Sequence, residues 1–140
     1  MPVVSIRFTN TLLHERLKKT ARRRSVSIST LAQRLIDEGL RMENHPLIHF
    51  RQQTTGRYPA LVGGPLVVWV IDMLIGGDVP TEQRRARTAD LMNLSLTQVD
   101  AALAYYAEFT DEIDKDVAER KRTSAEMESA WLREQELLAT

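Results

Sequence analysis

Three histidines and one dense run of carboxylates are the side chains from which catalysis or metal binding would have to be built. Neither set has the spacing for it. His45 and His49 straddle Pro46 instead of sharing a helix face, so they read as turn and strand residues and not as a metal pair. Glu108, Asp111, Glu112, Asp114, Asp116 and Glu119 read as the surface of a helix. An acid–base pair needs a cleft that drives two pKa values apart, and no such cleft is legible around them. No glycine-rich phosphate loop occurs. The chain lacks cysteine, which removes disulfides and thiolate metal sites and fits a reducing cytoplasm. The expectation is a protein with no catalytic residue, no cofactor and no metal.

What remains is electrostatic. Formal net charge is +0, yet the charges are segregated. From Met1 to Asn44, Arg7, Arg16, Lys18, Lys19, Arg22, Arg23, Arg24, Arg34 and Arg41 face only Glu15, Asp37, Glu38 and Glu43. After Ala107 the balance inverts, with a single Lys115 among the carboxylates up to Glu119. A basic head and an acidic tail point to one polyanionic partner and one basic partner. The most apolar run, Leu61 to Ile75, is broken by Gly63-Gly64-Pro65 and Asp72 and is too short to cross a bilayer. With no charged-then-apolar leader, a soluble, cytoplasmic protein without membrane contact is expected.

The elements that must position these charges begin with a strand. Val4, Ile6 and Phe8 alternate with Val3, Ser5, Arg7 and Thr9, the period of a strand with one buried face. Two helices follow it, so it has no neighbour to pair with nearby. An isolated strand does not persist. Either a second copy pairs with it across a two-fold axis, or it joins a sheet made later in the chain. Thr9 or Asn10 can cap a helix running through Arg24, with Leu13, Leu17 and Ala21 as its buried stripe and Leu12 flanking. Ser25-Val26-Ser27 makes the turn. Ser27 caps a second helix to about Met42, with Ile28, Leu31, Leu35 and Ile36 inward. The amides of Ile28, Ser29 and Thr30 then form an anion site.

In Ser5-Ile6-Arg7-Phe8, Leu12-Leu13-His14-Glu15-Arg16-Leu17 and Ser27-Ile28-Ser29-Thr30-Leu31 the chain resembles the ribbon-helix-helix family of DNA-binding repressors, over residues Val3 to Met42. The resemblance implies a homodimer whose paired strands enter the major groove, with Val3, Ser5 and Arg7 of each subunit facing base edges. Arg7 is the strongest candidate, because a guanidinium can bind guanine O6 and N7 together, while Val3 can at most touch a thymine methyl. Ser27, Ser29 and Thr30 would hold phosphates and fix register. The family often places glycine where this chain has Ser25. Arg22-Arg23-Arg24 alone argues nothing, since bases near a helix C-terminus also complement its dipole.

Residues 41–46 read as a linker, and Leu47 to Arg51 with Tyr58 to Val62 as a β-hairpin around Thr54, Thr55 and Gly56. Pro59 confines its strand to an edge. A helix from Pro65 to Ile75 buries Val67, Val70, Ile71 and Leu74 and is stopped by Gly76-Gly77. Another runs from Thr81 to about Asp90. A third starts at the capping box Ser95-Leu96-Thr97-Gln98 and turns Val99, Leu103 and Tyr106 inward. The blocks Gly63-Gly64-Pro65-Leu66-Val67-Val68-Trp69-Val70-Ile71, Gly77-Asp78, Leu94 to Val99, Ala101 to Tyr106 and Asp111 to Asp114 are similar, in order, to the helix-turn-helix domains of VapB-like antitoxins. The usual partner of that family is a PIN-like ribonuclease toxin. The similarity spans about Ile48 to Val117; where the family has Gly-Thr-Arg, this chain has Gly64-Pro65-Leu66. DNA reading by the second helix of that pair is not expected. It would expose Thr97, Gln98, Asp100 and Tyr105 without a Lys or Arg, although Arg84, Arg85 and Arg87 on the preceding helix could touch a backbone.

From Thr110 to Leu138 nothing breaks a helix. Ile113, Val117, Met127, Ala130, Trp131, Leu132, Leu137 and Leu138 form a stripe needing cover from the chain's own core, a dimer mate or a partner's groove. The antitoxin resemblance favours the partner, with Asp111, Glu112, Asp114, Val117, Met127, Trp131 and Leu132 as contacts to the toxin. The expected architecture is mainly α with short β. Residues 1–43 form a ribbon-helix-helix unit with an intermolecular β-ribbon, 44–109 a small helix-turn-helix domain with a hairpin, and 110–140 a long C-terminal helix. The expected function is a type II antitoxin that represses its own operator. The alternatives are a stand-alone repressor with no toxin and a purely structural assembly protein.

Overall fold

The computed structural model describes residues 1–140 and is mainly helical, with six α-helices and one two-stranded antiparallel sheet. The chain divides into two compact units, Met1–Glu43 and Asn44–Thr140.

In the first unit, residues 1–8 are exposed and belong to no strand within the chain. Helix α1, Thr11–Arg23, starts where Asn10 accepts hydrogen bonds from the Leu12 and Leu13 amides at 3.0 and 3.3 Å. After it Ser25 takes φ +56°, the left-handed conformation that glycine adopts most cheaply. Helix α2, Ile28–Asn44, follows. Ala21 and Leu31 are this unit's only buried apolar residues. Leu13 is 48 % exposed, and of the stripe expected on α2, Ile28, Leu35 and Ile36 are 43, 47 and 49 % exposed.

The second unit is built on α3, Val67–Ile75, which packs against the three helices that follow it and against the sheet. Strands β1, Ile48–Gln53, and β2, Gly56–Leu61, pair antiparallel around the two-residue loop Thr54-Thr55. In a two-stranded sheet both strands are edges, so Pro59 opposite Phe50 is tolerated. The helix expected from Pro65 begins at Val67. Its first residues are drawn into sheet-like pairing instead: the Leu61 amide donates to the Pro65 carbonyl at 2.9 Å, and Leu66 bridges to Ala60. Every residue predicted inward on α3, Val67, Val70, Ile71 and Leu74, is buried.

Helix α4, Thr81–Met92, ends at Asn93 in the left-handed conformation. Helix α5, Leu96–Glu108, carries the full capping box: Ser95 Oγ accepts from the Gln98 amide, and Gln98 Oε1 accepts from the Ser95 amide. Its buried face is Val99, Ala102 and Tyr105, a rotation from the one expected; Leu103 and Tyr106 are only partly buried at the core's edge. Tyr105 is fully buried, not exposed. Helix α6, Thr110–Ala139, is continuous for 30 residues. Its Ile113 and Val117 complete this unit's core, and nothing beyond Val117 is buried. No helix is long and apolar enough to cross a membrane.

Candidate functional site

Two surfaces carry the residues singled out from the sequence, one in each unit. In the first, Val3, Ser5 and Arg7 are exposed and Arg7 makes no hydrogen bond or ion pair. Their alternation leaves Val4, Ile6 and Phe8, at 84, 58 and 36 % exposure, as the opposite face. The backbone of residues 2–8 has no ladder partner, so its donors and acceptors are available to another chain.

At the start of α2, Ser27 Oγ accepts from the Thr30 amide at 3.0 Å and donates to Thr30 Oγ1 at 2.9 Å. This narrows the anion site expected there. The Thr30 amide and hydroxyl are both engaged by the cap, leaving the Ile28 and Ser29 amides as donors for a phosphate. Ser29 is itself tied back, its Oγ and carbonyl each accepting from Gln33 Nε2 at 3.3 Å.

The second unit keeps its arginines to itself. Arg85 donates through Nε and Nη2 to the two oxygens of Asp100, both at 2.7 Å. Asp100 holds the Arg85 pKa up, and the Arg85 hydrogen bond holds Asp100 below the usual carboxylate range. Arg84 donates to the Val79 carbonyl at 3.0 Å and Arg87 to that of Gly76 at 3.5 Å. The contacts to a nucleic-acid backbone weighed for these three are thus opposed by partners in their own chain. His45 also has a structural place: its ring packs on Tyr105 and Phe109, and Nε2 lies 2.6 Å from Glu108 Oε2. No group of His, Asp or Glu is arranged to hold a metal ion.

The carboxylates at the start of α6 differ among themselves. Asp111 and Glu112 sit in the first turn, where negative charge complements the free amides of the helix. Asp114 accepts a 2.5 Å hydrogen bond from the Tyr106 hydroxyl, and this contact raises the Tyr106 pKa. Asp116, one of the acidic run expected to face a basic partner, is partly buried; burial foremost, then the charges of Glu112 and Glu119, pushes its pKa up. Glu119 closes the run. The sequence signal was there in the i, i+4 and i+3 spacing of these like charges.

Further along α6 the predicted contacts separate. Val117, 5 % exposed, belongs to the unit's own core and is not presented to a partner, because α6 packs on α3 through this turn. Met127, Trp131 and Leu132 are 68, 57 and 49 % exposed. The last tie to the rest of the unit is Arg120, whose Nη1 lies 3.2 Å from Asp72 Oδ2 with its guanidinium 5.7 Å from the Trp69 ring centroid, and Lys121 at 4.0 Å from Asp72. At 3.6 residues per turn, Met127, Trp131 and Leu138 continue the side that Ile113 and Val117 bury, with Leu132 about a quarter-turn away.

No protein-family model matches the chain, and neither a curated protein nor a solved structure shows significant similarity to it.

Proposed function

We propose that this chain is the antitoxin of a toxin–antitoxin pair, a homodimer that represses its own operator through residues 3–7 and engages a toxin through the outer half of α6. One observation carries the reading. The first unit leaves its N-terminal backbone unpaired and Ile28, Leu35, Ile36 and Leu40 exposed, while burying only two apolar residues. Forty-odd residues with so small a core do not hold a fold alone, and a second copy pairing strand to strand would satisfy both deficits at once. Such a ribbon would carry Val3, Ser5 and Arg7 on its outer face. The apolar residues of outer α6 are a second surface without cover, and they support a protein partner. That this partner is a PIN-like ribonuclease rests on the family resemblance of residues 48–117.

The test has two arms. Arg7→Ala removes one bidentate base contact from each subunit. At about 1–3 kcal/mol per contact, operator affinity falls by roughly 30-fold or more, while affinity for scrambled duplex changes little. Unchanged operator affinity refutes the ribbon as reader. In the second arm, Met127→Glu with Trp131→Glu is co-expressed with the product of the adjacent reading frame. Loss of the complex by the variant, with capture by the parent chain, is the expected result. If the parent chain does not bind that product, the stand-alone repressor is the better reading.

A further inference from the structure

We propose that the solvent face of α1 is a second DNA contact, one that grips the phosphate backbone of duplex flanking the operator without reading its sequence. It rests on the repressor reading of the first unit and adds to it a source of affinity. On α1, Arg16, Lys19 and Arg23 recur at i, i+3 and i+7, with Arg22 beside them, on the side away from buried Ala21. All four are exposed, and their side chains make no hydrogen bond or ion pair.

Some surface charges elsewhere are paired. Arg41 holds Asp37, Arg85 holds Asp100 and Arg122 holds Glu119. On α1 the sole acid, Glu15, is taken by Lys18 at 3.0 Å, and that contact keeps its carboxyl below the usual range. No carboxylate forms an ion pair with the other four, although Lys19 feels the Glu15 charge and Arg22 and Arg23 lie in the last turn, where the helix dipole favours them. The row is about 10 Å long, close to the rise of three nucleotides along one strand of duplex. A membrane surface fits less well, because an interfacial helix lays one continuous apolar side in lipid; on α1 the most exposed apolar residue, Leu12, stands among the bases, and the other side runs from half-exposed Leu13 through partly buried Leu17 to Ala21 at 2 % exposure. Single-stranded nucleic acid fits less well too, since α1 offers no Phe, Tyr or Trp on which bases could stack.

The experiment measures full-length protein on its operator and on a scrambled duplex of equal length across a salt series. The variant is Arg16→Gln, Lys19→Gln, Arg22→Gln and Arg23→Gln together. Each phosphate contact contributes a slope of about −0.9 in log K against log salt, and a dimer carries two such faces, so the slope becomes shallower by about 3 to 7. Affinity for both duplexes falls by the same factor, roughly 10²-fold at low salt, and the ratio between them is preserved. Arg7→Ala does the reverse, losing the ratio and little of the slope. If the parent chain shows no operator preference while the slope still drops, the repressor reading fails and the α1 contact stands. A second variant, Arg16→Lys, Arg22→Lys and Arg23→Lys, keeps the charge and is expected to keep the slope. Loss of binding by the lysine variant, a parent-like slope in the glutamine variant, or binding to phosphatidylserine vesicles in place of duplex each overturns the proposal.

Discussion

Ile36→Glu is expected to leave the chain monomeric and to abolish operator binding. In the single chain Ile36 is 49 % exposed, on the same helix as exposed Leu35 and Leu40. In a dimer with two-fold symmetry each substitution is felt twice. Forfeiting about 1–2 kcal/mol of apolar burial per copy, and desolvating a carboxylate beside it, weakens association by roughly 4–6 kcal/mol, or about 10³- to 10⁴-fold. Sedimentation equilibrium reads the mass directly, and circular dichroism shows whether the helices survive. A variant that stays dimeric places the self-association surface elsewhere and removes the ground for an intermolecular ribbon. DNA binding by a proven monomer would sink it more directly, since one strand cannot form the reading element.

Tyr105→Ala is expected to be the most destabilising single substitution in residues 44–140. Tyr105 is the largest fully buried side chain, and its ring lies 4.6 Å from that of Phe109, 5.1 Å from His45 and 6.5 Å from Phe50. Emptying an aromatic site in a packed core costs about 3–5 kcal/mol, and these edge and tilted contacts place it toward the upper end. That is a large share of the roughly 5–15 kcal/mol that holds an ordinary domain. Urea unfolding followed by far-ultraviolet dichroism measures the loss as a lower midpoint. A shift below about 1 kcal/mol would mean that the three rings close over the space, and that Tyr105 is not the hub of this core.

The helices were legible wherever their ends carried chemistry. Asn10, Ser27 and the Ser95–Gln98 box each cap a helix as their side chains dictate, and Gly76 ends α3. The apolar stripe of α3 was legible because it is nearly all Val, Ile and Leu. The orientation of α5 was not. Ala101-Ala102-Leu103-Ala104-Tyr105-Tyr106 is apolar all round, so its periodicity does not choose a face, and packing against α3 and the strands made the choice. The start of α3 is not legible, because Pro65 suits a first helical turn as well as an extended segment, and a tertiary pairing of Leu66 with Ala60 decides between them. Val117 reads as a partner contact for a related reason: a stripe along a helix does not say where the helix's own domain ends. At the candidate site the caps and exposed charges could be read directly. The pairing of Arg85 with Asp100 could not, since it joins residues 15 apart across a turn.

That end point at Val117 has a consequence for how α6 behaves in time. Its first turns open only when the core opens, because Ile113 and Val117 are locked inside it. Past Arg120 and Lys121 no ion pair ties the remaining turns to the rest of the unit and every residue is exposed, so they are held by the helix's own hydrogen bonds and fray from the free end. One uninterrupted element therefore runs on two clocks, its inner amides exchanging with global unfolding and its outer amides with local fraying. Whatever covers Met127 and Trp131 slows the second clock without touching the first, so occupancy of this end is written into the lifetime of the helix itself.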